Sequence, residues 1–268
     1  MFSSVSIKIN KMTQEKEKIY IVGNWKMNPP SLDDAETIFD EMENDAYRMR
    51  SDKIEAVICM PYLFLSDFDA KGEIKLGAQN LFWESRGAYT GEISSEMLRK
   101  VGVKYVIIGH SERRKYLGET DGMVNLKIKA CLDGGMRPIL CVGETLEERK
   151  KGDAGEVIVS QLEQALRDIP EKSVRGKLLI AYEPIWAIGS GTTPSTDDIM
   201  GVGLLIKKII SKLYGREIVE STPILYGGSV TSQNCFDLVD KTGLRGLLIG
   251  GASLEAREFV GIVKEFVK

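Results

Sequence analysis

The sequence predicts one α/β domain, a single (β/α)8 barrel with a parallel eight-stranded core over residues 18–268. Three observations predict it. From Lys18 onward, eight short β-branched or apolar runs recur, each ending in glycine, polar or charged residues and followed by a segment of helical periodicity. Several runs, such as Tyr105-Val106-Ile107-Ile108 and Gly246-Leu247-Leu248-Ile249, are continuously apolar, as a parallel strand buried on both faces requires. No Ser/Gly linker or shift of composition divides the chain, and its 268 residues suit one closed barrel of about 250. An open doubly wound sheet would leave edge strands and usually has fewer repeating units.

The elements are expected in this order. A strand over 18–23 precedes a helix over 31–49, and strands over 54–60 and 74–79 follow. A long loop then leads to a helix over 94–100, a strand over 105–109 and a helix over 121–132. The pattern continues with a strand over 138–142, a helix over 154–167 and a strand over 178–182. The next helix, over 196–213, has Ser195 as its cap and Asp198 three places on, which satisfy free N–H groups and favour the positive end of the helix dipole. A strand over 223–226, a helix over 233–239, a strand over 246–249 and a helix over 254–266 complete the series. Residues 1–17 are polar and lack periodicity, so they are expected to form a flexible amino-terminal extension. That segment has no apolar core of signal-peptide length and no arginine in its opening stretch, and Met12 is a second candidate start.

Composition narrows the function classes. With 43% hydrophobic and 28% charged residues, the chain reads as a soluble globular protein, and no apolar run nears the roughly 20 residues that cross a bilayer. A membrane partner is not expected. A formal charge of −3 supplies no overall positive field for nucleic acid, whereas a phosphorylated small molecule needs only a local positive pocket. Cys59, Cys131, Cys141 and Cys235 form no Cys-x-x-Cys pair, and His110 is the only histidine, so no metal site is expected. Cys59 and Cys141 sit in apolar runs as buried, reduced thiols do, which fits a cytoplasmic protein.

In such a barrel, functional groups come from the carboxyl ends of the strands and the loops after them. The first strand runs into Gly23-Asn24-Trp25-Lys26-Met27-Asn28, and the fourth into Gly109-His110-Ser111-Glu112-Arg113-Arg114. The sixth runs into Ala181-Tyr182-Glu183-Pro184-Ile185-Trp186-Ala187-Ile188-Gly189, and the last two into Gly227-Gly228-Ser229-Val230 and Gly250-Gly251-Ala252-Ser253-Leu254. A lone glutamate at a strand end is usually a solvated charge, and a lone glycine usually a turn. Together these segments resemble the signature stretches of the triosephosphate isomerase family, in the family's order and over nearly all of 18–268.

The resemblance implies a TIM barrel without metal or organic cofactor that interconverts dihydroxyacetone phosphate and D-glyceraldehyde 3-phosphate through an enediolate. It assigns Glu183 as the base, His110 as the imidazole that serves both substrate oxygens, and Lys26 as the ammonium facing the developing charge and the phosphate. Asn24 matches a second donor, while Gly189, Ser229, Gly250 and Gly251 match the phosphate-gripping positions; Ser111 and Glu112 are expected to support the site. These types suit the chemistry, because proton abstraction beside a carbonyl needs a base on one side and preorganised donors on the other. Shielding from water is expected to raise the pKa of Glu183, and a following helix to lower that of His110.

Pro184-Ile185-Trp186 and Thr192-Thr193-Pro194 bracket an apolar tip of Ala187, Ile188, Gly189, Ser190 and Gly191, a layout similar to the family's closing lid. Closure would keep water from the intermediate. The second hinge departs from the commoner family pattern at Thr192, often a lysine, and at Pro194, where the family has a backbone N–H that meets the tyrosine matching Tyr226. The stretch 79–92, with Tyr89 and Thr90 near its tip, looks like the family's dimer loop, so a homodimer is expected. Another phosphate-binding barrel isomerase or epimerase, or a catalytically silent barrel scaffold, would share the fold. The presence of Lys26, His110 and Glu183 together, with the Glu-Pro-x-Trp stretch, weighs against both.

Overall fold

The computed structural model describes residues 18–48, 51–68, 72–188 and 194–267. Eight parallel strands close on themselves in sequence order: β1 (Ile19–Asn24), β2 (Ile54–Met60), β3 (Lys75–Ala78), β4 (Tyr105–Ile108), β5 (Arg137–Val142), β6 (Leu179–Tyr182), β7 (Ile224–Tyr226) and β8 (Gly246–Ile249). β1 pairs with β8 in the register Tyr20 to Gly246, which completes the barrel and leaves no free sheet edge.

The continuously apolar strands are explained by two separate cores. Tyr20, Val22, Val57, Cys59, Tyr105, Ile107, Ile139, Cys141, Leu179, Ala181, Leu225 and Leu248 form one buried cluster, the barrel interior. Their sequence neighbours, including Ile21, Ile58, Val106, Leu140, Ile180 and Leu247, belong to a second cluster shared with the helices. Alternation along each strand therefore persists, but both faces are apolar. At the amino-terminal end the interior is closed by a polar layer: Arg137 donates to the hydroxyls of Tyr105 (2.9 Å) and Tyr20 (3.2 Å), and Tyr105 donates to Glu55 (2.9 Å).

The helices are α1 (Leu32–Arg48), α2 (Ser95–Lys100), α3 (Ser111–Leu117), α4 (Asp121–Asp133), α5 (Leu146–Lys151), α6 (Ala154–Ala165), α7 (Glu171–Val174), α8 (Thr196–Tyr214), α9 (Arg216–Ser221), α10 (Cys235–Asp240) and α11 (Ala256–Glu265). The expected helices are present within one to three residues, and Ser195 caps α8 by accepting from the Asp198 N–H at 3.1 Å. The expected helix over 254–266 is divided, with a 3-10 turn at Gly251–Leu254 before α11. Three short helices, α5, α7 and α9, were not expected, whereas α3 is the helix expected to follow His110. α5, with Leu146 its only apolar residue, has no stripe to read; a reciprocal capping box of Thr145 and Glu148 holds its start. No helix of the described residues is long and apolar enough to cross a membrane. The amino-terminal extension expected over 1–17 lies outside the described residues.

Candidate active site

The strand alternation that builds the interior also delivers the functional side chains. Counting by twos from Tyr20 and Val22 reaches Asn24, and from Leu179 and Ala181 reaches Glu183, so both turn inward at the carboxyl end. The same count along β7 and β8 reaches Gly227 and Gly250, which line the barrel mouth without filling it. Gly109, at φ +75°, breaks the alternation with a left-handed turn and hands the next position to His110, which caps α3.

The hollow is a cavity of about 320 Å³ lined by Asn24, Lys26, His110, Glu183, Ser229, Gly250 and Gly251, with Ile188 of the lid segment at its edge. The expected site residues from five separate strands thus meet at one place. Gly189, Ser190, Gly191, Thr192 and Thr193 lie outside the described residues. Tyr89 and Thr90 do not line the cavity; they sit on the exposed tip of the 79–92 loop.

Each group is held by identifiable contacts. Lys26 has a positive φ of 54°, uncommon for a residue with a side chain, and its N–H donates to Asn24 Oδ1 at 3.1 Å. Its Nζ lies 2.5 Å from Glu112 Oε1, so Glu112 supports Lys26, and the other carboxylate oxygen, Oε2, lies 3.7 Å from His110 Nδ1. The Trp25 indole donates to the Ser253 carbonyl at 2.8 Å and ties the β1 loop to the β8 loop.

His110 is 6% and Glu183 2% exposed, and His110 Nε2 lies 3.0 Å from Glu183 Oε1. His110 Nδ1 accepts from the Glu112 N–H at 3.2 Å, which places the proton of the neutral ring on Nε2. Glu183 Oε2 accepts from the Ser111 N–H at 3.0 Å.

These contacts reverse two expectations. Burial favours the neutral carboxyl, but the His110 charge and the Ser111 N–H outweigh it and hold Glu183 below the usual carboxylate range. Burial likewise opposes protonation of His110, but the Glu183 carboxylate outweighs it and lifts the imidazole above its ordinary value. The predicted raising of Glu183 and lowering of His110 therefore fail in this arrangement, because the two groups face each other directly.

Three supports escaped the sequence. Glu144, fully buried, accepts from the Trp186 indole at 2.8 Å and from Tyr182 Oη at 3.2 Å, while the Arg149 guanidinium stands 4.6 Å from the centre of the Trp186 ring. Cys141 lies under Glu183, and burial together with that negative charge pushes its thiol well up. Gln79 donates to the Lys26 carbonyl at 2.8 Å. None of these has a local signal, since each partner is distant in the chain.

The family model described as triosephosphate isomerase matches residues 19–266. The chain belongs to the triosephosphate isomerase family. It is 43% identical over 249 residues to the triosephosphate isomerase of Alkaliphilus oremlandii and 45% identical over 249 residues to that of Alkaliphilus metalliredigens. Each alignment covers 92% of this chain and 98% of the relative. The crystal structure of triosephosphate isomerase from Bartonella henselae superimposes with a TM-score of 0.83 at 37% identity, covering 94% of this chain and all of that one. The triosephosphate isomerase fold, a single closed barrel, is thus shared over nearly the whole length.

Proposed function

We propose that this protein is a triosephosphate isomerase, an aldose-ketose isomerase that interconverts dihydroxyacetone phosphate and D-glyceraldehyde 3-phosphate in glycolysis and gluconeogenesis. The observation that carries the proposal is the convergence of Lys26, His110 and Glu183 on one 320 Å³ cavity in a chain of this family.

Glu183 is the base that moves the proton between adjacent carbons. Both its oxygens are engaged by the protein, so substrate must draw the carboxylate away from Ser111 and His110 before it can act. That separation removes the contacts that depress its pKa and leaves burial to raise it. His110 Nε2 then donates to the substrate oxygens, and Lys26 with Asn24 stabilises the enediolate charge; one such preorganised donor contributes on the order of 3 kcal/mol in comparable oxyanion sites. Gly189, Ser229, Gly250 and Gly251 grip the phosphate through N–H groups that no side chain obstructs. The 184–194 lid closes over the site and excludes water, with Trp186 and Glu144 securing its first hinge.

The protein works as a homodimer in the cytoplasm, with the 79–92 loop as the pairing element. Its exposed tip leaves Tyr89 44% accessible, and Met27, beside Lys26, is 95% accessible in the single chain.

A coupled isomerase assay of the purified protein beside Glu183→Gln and Glu183→Asp tests the activity. A positioned base contributes about 10² to 10⁴ in rate, so the Gln variant should lose that much. Wild-type turnover no greater than that of the Gln variant overturns the assignment.

A further inference from the structure

Gln79 and Asn80 leave β3 and open the 79–92 loop, and each grips a segment that carries a cavity side chain. Gln79 holds the Lys26 carbonyl directly. Asn80 acts at two removes: its Oδ1 accepts from Lys127 Nζ at 2.8 Å, and the same ammonium is bonded to Glu119. Glu119 Oε1 in turn accepts from the Gly109 N–H at 3.0 Å, and its Oε2 from Arg113 Nε at 2.7 Å. Gly109 is the left-handed residue that turns His110 into the cavity.

Lys127 is 2% and Glu119 5% exposed, and neither lines the cavity. A buried ion pair is weak evidence for stability, because an apolar pair of similar volume often serves as well, whereas removing one partner strands a charge. Lys127 projects from α4 beside Val124, Ile128 and Cys131, all buried, where an apolar side chain would be the simpler filling. What the charge achieves is to hold a carboxylate against one backbone N–H, next to the only histidine in the chain.

We propose that Lys127 is a positioning residue for His110: it neutralises and orients the Glu119 carboxylate that fixes the Gly109 turn, and through Asn80 it registers that turn against the root of the 79–92 loop. The proposal rests on His110 being the imidazole that touches substrate. Loss of Lys127 lets the turn relax and misplaces the ring, while the phosphate grip, built on other strands, is untouched.

The test uses full-length, tag-free protein, in which His110 gives the only imidazole ¹⁵N resonances. Lys127→Met combined with Glu119→Gln removes both charges of the buried pair and leaves Arg113, whose side chain is 29% exposed, to solvent, and Lys127→Arg keeps the cation. The double variant should keep the wild-type far-UV spectrum, lose about ten- to a hundredfold in kcat as misplaced catalytic groups do, and leave KM for triose phosphate unchanged. Its His110 ¹⁵N shifts should move, and Lys127→Arg should restore most of the kcat. A folded double variant with wild-type kcat and unmoved His110 shifts makes the network purely structural and overturns the proposal. If the double variant does not fold, Asn80→Ala decides in the same way, since it frees Lys127 from the loop but spares the ion pair: moved shifts support the proposal and unmoved shifts overturn it. Should the wild type lack isomerase activity, the functional assignment fails by that result, while the ¹⁵N shifts still decide whether Lys127 places the imidazole.

Discussion

The carbonyl oxygen of Glu183 lies 1.8 Å from the point that a Cβ on Gly143 would occupy. Gly143 cannot retreat, because Gln161 grips it on both sides, accepting from its N–H at 2.9 Å and donating to its carbonyl at 3.0 Å. The clearance beside the carboxylate-bearing backbone is therefore set by the absence of one methyl group.

Gly143→Ala should wedge the β6 end outward and displace Glu183. Overpacking of this kind costs about 1–3 kcal/mol, so thermal unfolding should shift down and kcat should fall together. Unaltered melting and turnover would show that the backbone yields more easily than this geometry implies.

The Glu183 and His110 pair makes stability depend on pH in a defined sense. A depressed carboxyl pKa stabilises the fold above the ordinary value of 4.5, and that contribution disappears as pH falls through the folded value. A raised imidazole pKa stabilises below the ordinary 6.5, and that contribution disappears as pH rises through the folded value. The stability difference between wild type and His110→Gln should peak between about pH 4.5 and 6.5 and shrink on both sides. Denaturant titrations across pH check this, and a difference that keeps growing above neutrality would contradict it.

Tyr226 Oη is buried and has no hydrogen-bond partner among the described residues, and burial pushes its pKa up to about 12. Pro194 can offer it no N–H. Pro194→Ala should change the lifetime of the closed lid in ¹⁵N relaxation dispersion, whereas Tyr226→Phe should cost little stability, since it deletes an unpaired group. Identical opening rates in the Pro194 variant would refute the first expectation.

Pairing through the 79–92 loop should be needed for activity, because at its root Gln79 holds the Lys26 carbonyl and Asn80 is linked through Lys127 and Glu119 to the Gly109 N–H. Specific activity should fall on dilution in step with the dimer fraction seen by analytical ultracentrifugation. A monomer with full specific activity would break that dependence.

Much of the barrel was legible because burying a parallel strand on both faces leaves a run such as Tyr105-Val106-Ile107-Ile108 that needs no partner to recognise. The placing of His110 and Glu183 at strand ends followed from the same runs. Short helices such as α5 and α9 were not legible, since six residues are too few to show an apolar stripe. The chain of contacts from Asn80 through Lys127 and Glu119 to Gly109 has no sequence signal either; Asn80 and Lys127 are 47 residues apart.

Local order, in strand periodicity, glycine placement and residue type, is written in neighbouring residues, and it was enough to name the fold, while the resemblance of the strand-end stretches to a known family implied the chemistry. The protonation balance was not. Glu183 and His110 are 73 positions apart in sequence and 3.0 Å apart in space, and charge interactions follow the second distance.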